Sequence, residues 1–261
     1  MSRFSFFCNE CHTEVEKIVD HVRLPTLGTV QELLEKSMPE RLGLSELAAL
    51  LEIGNEPDAV GQFQALRSFV YRQSRRPLGN RLRYIAPIYL SSYCNDTRGY
   101  CNFCGLRGNP APKRLSIEAL EDELAAVLAT GAQVIELVLA TDPEVSWPVL
   151  ARYVARTAAL LKKEAGPGVL LCSAYLPEEA YITLRDAGLG GMIQWDETLD
   201  RDAYRRWHAA SPSKRHFEVR MDNHDRALAA GLEVATGALF GLADYRVAGS
   251  GFHIDYAWIG R

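Results

Sequence analysis

Cys94, Cys101 and Cys104 fall within eleven residues of a 261-residue chain and are half of its six cysteines, spaced C-x6-C-x2-C. Three thiolates held that close make a soft-metal site. Structural zinc usually recruits four ligands. Three cysteines suit an iron–sulfur cluster better, and a [4Fe–4S] cluster so held would keep one iron open to a small molecule. Two readings stand beside this one: a zinc site completed by a distant His or Cys, and inert loop thiols. A disulfide framework is not expected in a chain this large that opens MSRFSFFCNE, without the long apolar stretch of a secretory signal.

Cys8-x2-Cys11-His12 is a second candidate metal site, but it is a single pair where a zinc ribbon needs two. Hydrophobic residues make up 48% and charged residues 24%, as in ordinary globular chains. A net charge of −4 argues against general nucleic-acid binding. No apolar run reaches the length of a membrane span. The expectation is a cytoplasmic protein with no nucleic-acid or membrane partner.

The elements that must position the cysteines follow from periodicity. Residues 1–83 read as a helical region, with breaks at Pro25–Gly28, a cap at Thr29, a helix after Ser45 and another over residues 58–75. From Tyr84 strands and helices alternate. Strands are predicted at 85–90, 134–140, 169–175, 191–195 and 234–240. Helices follow Ser116, span 147–164, begin at Pro177, begin near Asp200 and cover 223–230. Repeated βα units imply a parallel sheet with helices outside, an α/β fold of about five parallel strands over residues 84–247, with an irregular tail at 248–261. Cys94, Asp142, Ser173, Glu197 and Asp244 each come just after a strand. In a parallel α/β barrel that end carries the site.

The run SSYCNDTRGYCNFCGLRGN resembles the cluster loop of radical S-adenosylmethionine (SAM) enzymes. LGNRLRYIAPIYLSSYC, LPEEAYITLRDAGLGGMIQWDETLDRDAYRRWHAASPSK and HDRALAAGLEVATGALFGLADYR resemble the tyrosine lyases in order and spacing. These are the 2-iminoacetate synthases of thiamine biosynthesis and the related maturase of iron-only hydrogenase. The resemblance implies a partial (βα) barrel, a [4Fe–4S] cluster on Cys94, Cys101 and Cys104, SAM, and an external electron donor. It implies a 5′-deoxyadenosyl radical that takes hydrogen from the amino group of tyrosine, with Cα–Cβ cleavage to dehydroglycine and p-cresol. Phe103 would face adenine, Glu197 would lie near SAM and substrate, and Ser173 and Arg220 would bind polar substrate groups.

The chain departs from that pattern. The family spacing is C-x3-C-x2-C, so the loop here is three residues longer. Ala140-Thr141 stand where the family has a Gly-Glu pair that contacts the methionine amine, with Asp142 as the candidate substitute. Five strands are fewer than such barrels need, so either a protein partner completes the barrel or the chain is a fragment or decayed copy. Two alternatives to tyrosine cleavage are therefore carried. One is another radical SAM chemistry, biotin-synthase-like or tryptophan lyase. The other is an inactive or accessory cluster-binding protein.

Overall fold

The computed structural model describes residues 13–18, 21–37, 42–78 (backbone alone from 74), 83–101, 103, 111–161 and 167–243. Cys8, Cys11, Cys104, Asp244 and the tail at 248–261 lie outside them. The chain divides into two compact units, one of which is built from Arg83–Glu197 and Arg201–Leu239. The described part of the other is mainly the N-terminal helices.

In that helical unit, α1 spans Leu27–Lys36, α2 Leu44–Glu52 and α3 Val60–Leu78. The α1 cap is Thr26 rather than Thr29: Thr26 has extended backbone angles, and its Oγ1 accepts the Thr29 N–H at 3.1 Å. Likewise α2 begins at Leu44, before Ser45, because the Glu46 carboxylate reaches back to the Gly43 N–H at 2.8 Å. Val30, Leu34, Leu50, Ile53 and Ala59 form the core of this unit.

The α/β unit runs β1 (Ile85–Ser91), α4 (Ile117–Ala129), β2 (Val134–Leu139), α5 (Trp147–Leu160), β3 (Val169–Cys172), α6 (Glu178–Asp186), β4 (Leu189–Glu197), α7 (Arg201–His208), α8 (Phe217–Ala229) and β5 (Glu233–Ala238). All four strand pairs are parallel and the sheet order is the chain order, β1-β2-β3-β4-β5. The predicted strand count and α/β class agree with it. Pro177 caps α6 rather than occupying its first turn, and α8 starts at Phe217, a turn and a half ahead of the predicted Asn223. The polar MDNH segment hides its helical period, because its buried members include Asn223 and His224.

Strand side chains alternate between two faces. Ile88 and Leu90 of β1, Ile135 and Leu137 of β2, and Leu171 of β3 pack in one core with Leu120 and Leu124 of α4, Leu150 and Val154 of α5, and Leu184 of α6. Each such side chain contributes about 1.5–3 kcal/mol when fully buried. The intervening residues Tyr89, Glu136, Val138 and Cys172 face the other way and line a cavity.

Candidate active site at the carboxyl ends of the strands

The cavity has a volume of about 390 Å³. Its walls come from β1, β2, β3 and β4, from the loop after β1, and from Lys214 and Arg220. Among the residues singled out in the sequence, Cys101, Phe103, Ser173, Glu197 and Arg220 line it together. Cys94 and Cys101 are free, half-buried thiols. The Phe103 ring stacks on Tyr89 with centroids 5.6 Å apart. Ser173 donates its hydroxyl to the Ala174 carbonyl at 2.9 Å.

Asp142 is buried but is not among the described lining residues. Its carboxylate accepts from Ser91 Oγ at 2.6 Å, from Arg114 Nε at 2.8 Å and Nη2 at 2.9 Å, and from the Glu144 amide at 3.0 Å. Burial alone would raise its pKa, but Arg114 and Ser91 hold it below the ordinary value. An acid so fully engaged ties the β2 loop to β1, while Ala140 and Thr141 take the cavity wall.

The end of β4 sorts its residues by face. Gln194 and Asp196 point into the protein. Asp196 accepts from Gln194 Nε2 at 2.7 Å, from His224 Nε2 at 2.9 Å, and from the Thr236 hydroxyl. Gln194 also donates to the Arg220 carbonyl at 2.9 Å and accepts from Asn223 at 2.8 Å. This buried network fastens β4 to α8. Trp195 and Glu197, the alternate residues, face the cavity. Glu197 has φ of +69°, a left-handed conformation that few residues other than glycine adopt.

The long cysteine loop supplies residues that the sequence reading did not single out. Asp96 accepts from the hydroxyls of Ser211 at 2.5 Å, Thr141 at 2.7 Å and Ser213 at 2.9 Å. Burial pushes its pKa up, but these hydroxyls and Lys214 hold it below the usual range. Thr97 donates to the Ala210 carbonyl at 2.6 Å. Arg98 Nη1 donates to Glu197 Oε1 at 3.0 Å, and Lys214 Nζ lies 3.7 Å from the same oxygen. Tyr100 packs under the Arg98 guanidinium and bonds His208 Nε2 at 2.7 Å. His208 Nδ1 lies 2.9 Å from the Tyr204 carbonyl, which can only accept. Nδ1 therefore carries the proton and Nε2 accepts from Tyr100. Burial and the nearby cations push His208 down to about 4, so the ring is neutral. The signal available in the sequence was the charge inside NDTRGY and the SPSK run after Trp207.

Arg220 is 2% exposed. Its Nη2 donates to the Trp195 carbonyl, while Nε and Nη1 are buried and have no hydrogen-bond partner among the described residues. Glu197 Oε2 also takes no hydrogen bond among the described residues. Arg220 thus lines the cavity and keeps two buried donors that have no partner among the described residues.

A parallel five-stranded sheet in chain order, with cysteines on the loop after its first strand, is a fold this chain shares with solved structures it resembles. No family model matches the chain. It is 29% identical over 230 residues to the 2-iminoacetate synthase of Escherichia coli (strain K12), which covers 86% of this chain and 58% of that protein. Among solved structures it resembles HydG, a maturase of the [FeFe]-hydrogenase, with a TM-score of 0.77 at 23% identity, over 96% of this chain and 54% of that one. Methylornithine synthase (PylB) matches with a TM-score of 0.69 at 19% identity, over 89% of this chain and 62% of that one. The radical SAM resemblance read from the sequence agrees with these relatives, and the chain spans a little over half the length of the curated relative it matches.

Proposed function

We propose that the chain is a [4Fe–4S] radical SAM lyase that cleaves the Cα–Cβ bond of tyrosine to dehydroglycine and p-cresol. The observation that carries this reading is the pairing of Arg220 and Glu197 in one cavity that also holds Cys101. The Arg220 guanidinium, which lines the cavity, suits a carboxylate. The spare oxygen of Glu197 suits an ammonium. Together they match the two charged groups of an α-amino acid. The similarity to 2-iminoacetate synthase supports tyrosine, the substrate that the sequence resemblance implies.

The free thiols Cys94 and Cys101 fit a thiolate-ligated cluster, with Cys104 as the third ligand by sequence. When bound, the cluster and SAM supply a 5′-deoxyadenosyl radical after one-electron reduction by an external donor. Phe103 and Tyr89 offer a stacked aromatic wall for adenine. Ser173 would contact polar substrate groups, and Trp195 and Val138 line the same cavity. Asp142 fixes the loop that carries Ala140 and Thr141.

The test is anaerobic reconstitution with iron and sulfide, followed by dithionite, SAM and tyrosine. Both 5′-deoxyadenosine and p-cresol are expected. 5′-Deoxyadenosine without p-cresol would move the reading to another radical SAM substrate. A loaded cluster that yields neither product would leave an accessory cluster-binding protein.

A further inference from the structure

The cavity that carries the proposed function holds more positive charge than that function needs. Arg98, Lys214 and Arg220 all line it, and Glu197 is the carboxylate that meets Arg98 and Lys214. Guanidinium groups stay charged in proteins; an amine does not have to. Lys214 is therefore the cation through which the cavity can shed charge. The groups that face it are Arg98 and Asp96 from the cysteine loop, Arg220 from α8, and Glu197 from β4.

The chemistry requires a base here. An amino acid arrives as an ammonium, and Glu197 attracts it in that form. A hydrogen atom can leave the amino nitrogen productively only after the ammonium has given up its proton. Other residues of the cavity are poorly suited to take it. Cys172 is pushed up to about 11 by burial and Glu136, so it stays a protonated thiol. Tyr100 keeps its phenol proton, through burial and the neighbouring Glu197, and gives it to His208 in a hydrogen bond. Glu136, half-buried on β2, is the competing base.

We propose that Lys214 is the proton acceptor of this cavity: its amine takes the proton from the substrate ammonium held beside Glu197. The step is R–NH3+ + Lys–NH2 → R–NH2 + Lys–NH3+, with charge and atoms balanced. The geometry supplies the path, since Lys214 Nζ stands 3.7 Å from the oxygen of Glu197 that Arg98 already holds. The lysine is fixed in place: its carbonyl accepts from Tyr204 at 2.6 Å, and Ser213 beside it is tied to Asp96. Burial, Arg220 and Arg98 bring its pKa down to about 8, within reach of neutral pH.

This proposal rests on the amino-acid reading of the cavity, and the experiment separates the two. The cluster-loaded protein, unreduced and with SAM present, is titrated with tyrosine in buffers of different ionisation enthalpy. In a second arm, Lys214 is labelled competitively with acetic anhydride across a pH series and read by mass spectrometry. The wild type is expected to release about one proton per tyrosine bound at pH 7, where both amines start out charged and one proton remains between them. Lys214→Arg is expected to bind tyrosine within a few-fold of wild type and release none. Its p-cresol formation should fall about 100-fold or more, the usual loss for a missing acid–base group. Tyrosine binding without proton release, or the same release from Lys214→Arg, overturns the Lys214 role and leaves the lyase standing. Absent tyrosine binding with a labelling midpoint near 8 removes tyrosine and supports Lys214 as the cavity base. Absent binding with an ordinary lysine midpoint overturns both.

Discussion

Arg98 and Glu197 are 99 residues apart in sequence and 3.0 Å apart in the fold. The arginine stands in the part of the cysteine loop that is longer than the family pattern. The glutamate ends β4 in a left-handed conformation. Their side chains are 9% and 10% exposed, so the pair is nearly dry. Removing one partner of such a pair typically costs about 3–5 kcal/mol. Arg98→Met is therefore expected to lower unfolding stability by about 3 kcal/mol in a urea titration, somewhat softened by Lys214. Arg98→Met combined with Glu197→Gln should recover part of that loss. A double variant as unstable as the sum of the two singles would deny the coupling.

His208 gives a pH signature. Its folded pKa, about 4, lies below its ordinary value of 6.5. Between those values the unfolded chain binds the extra proton and the folded chain does not, so stability falls as pH drops from 6.5 to 4. The difference corresponds to about 3 kcal/mol at full extent. Urea midpoints of the wild type should decline through that window. His208→Gln, which can still accept from Tyr100, should show a flatter profile there.

The cysteines separate by role. Cys94→Ala and Cys101→Ala are each expected to lower bound iron and sulfide after reconstitution by more than half. Cys172→Ala removes a thiol on the β3 wall of the same cavity and should leave the iron content at the wild-type level. Equal loss from all three would reassign the ligand set.

Gly237 tests the wall behind Trp195. A methyl group there would sit 2.7 Å from the indole ring. Gly237→Ala should therefore move the ring and cost about 1–3 kcal/mol through overpacking. Shifted tryptophan fluorescence together with a raised tyrosine KM is the expected outcome. Unchanged fluorescence would mean that the strand yields instead of the ring.

How much of this was legible in the sequence depends on range. The βα alternation, the strand count and the position of Glu197 at the end of β4 follow from local periodicity, which needs no partner to be read. Some boundaries slipped because a side chain reaching across a turn fixes them, such as Glu46 to the Gly43 amide. Ser173 was singled out for its place after β3 and Arg220 through resemblance, and both line the cavity. Asp142 was singled out for its place after β2, yet Arg114, 28 residues earlier, claims its carboxylate. Arg98, Tyr100 and Lys214 went unread because their meaning lies in partners about 100 residues away or in a charge balance summed over several segments. No spacing rule in one sequence exposes such a sum.

The anchors of the cysteine loop also set how the site comes into being. Asp96 reaches Ser211 across 115 positions, and Thr97 reaches Ala210 across 113. Such ties close only when the chain from β1 to the turn before α8 has collapsed around the sheet, and long-range closures of this kind are slow steps in folding. The cavity is thus a late product of the folding reaction. A short peptide bearing the three cysteines would keep their spacing but lose every residue that aims them. On the ribosome, the cluster loop emerges long before the turn it must grip, so its thiols spend that interval without their final scaffold.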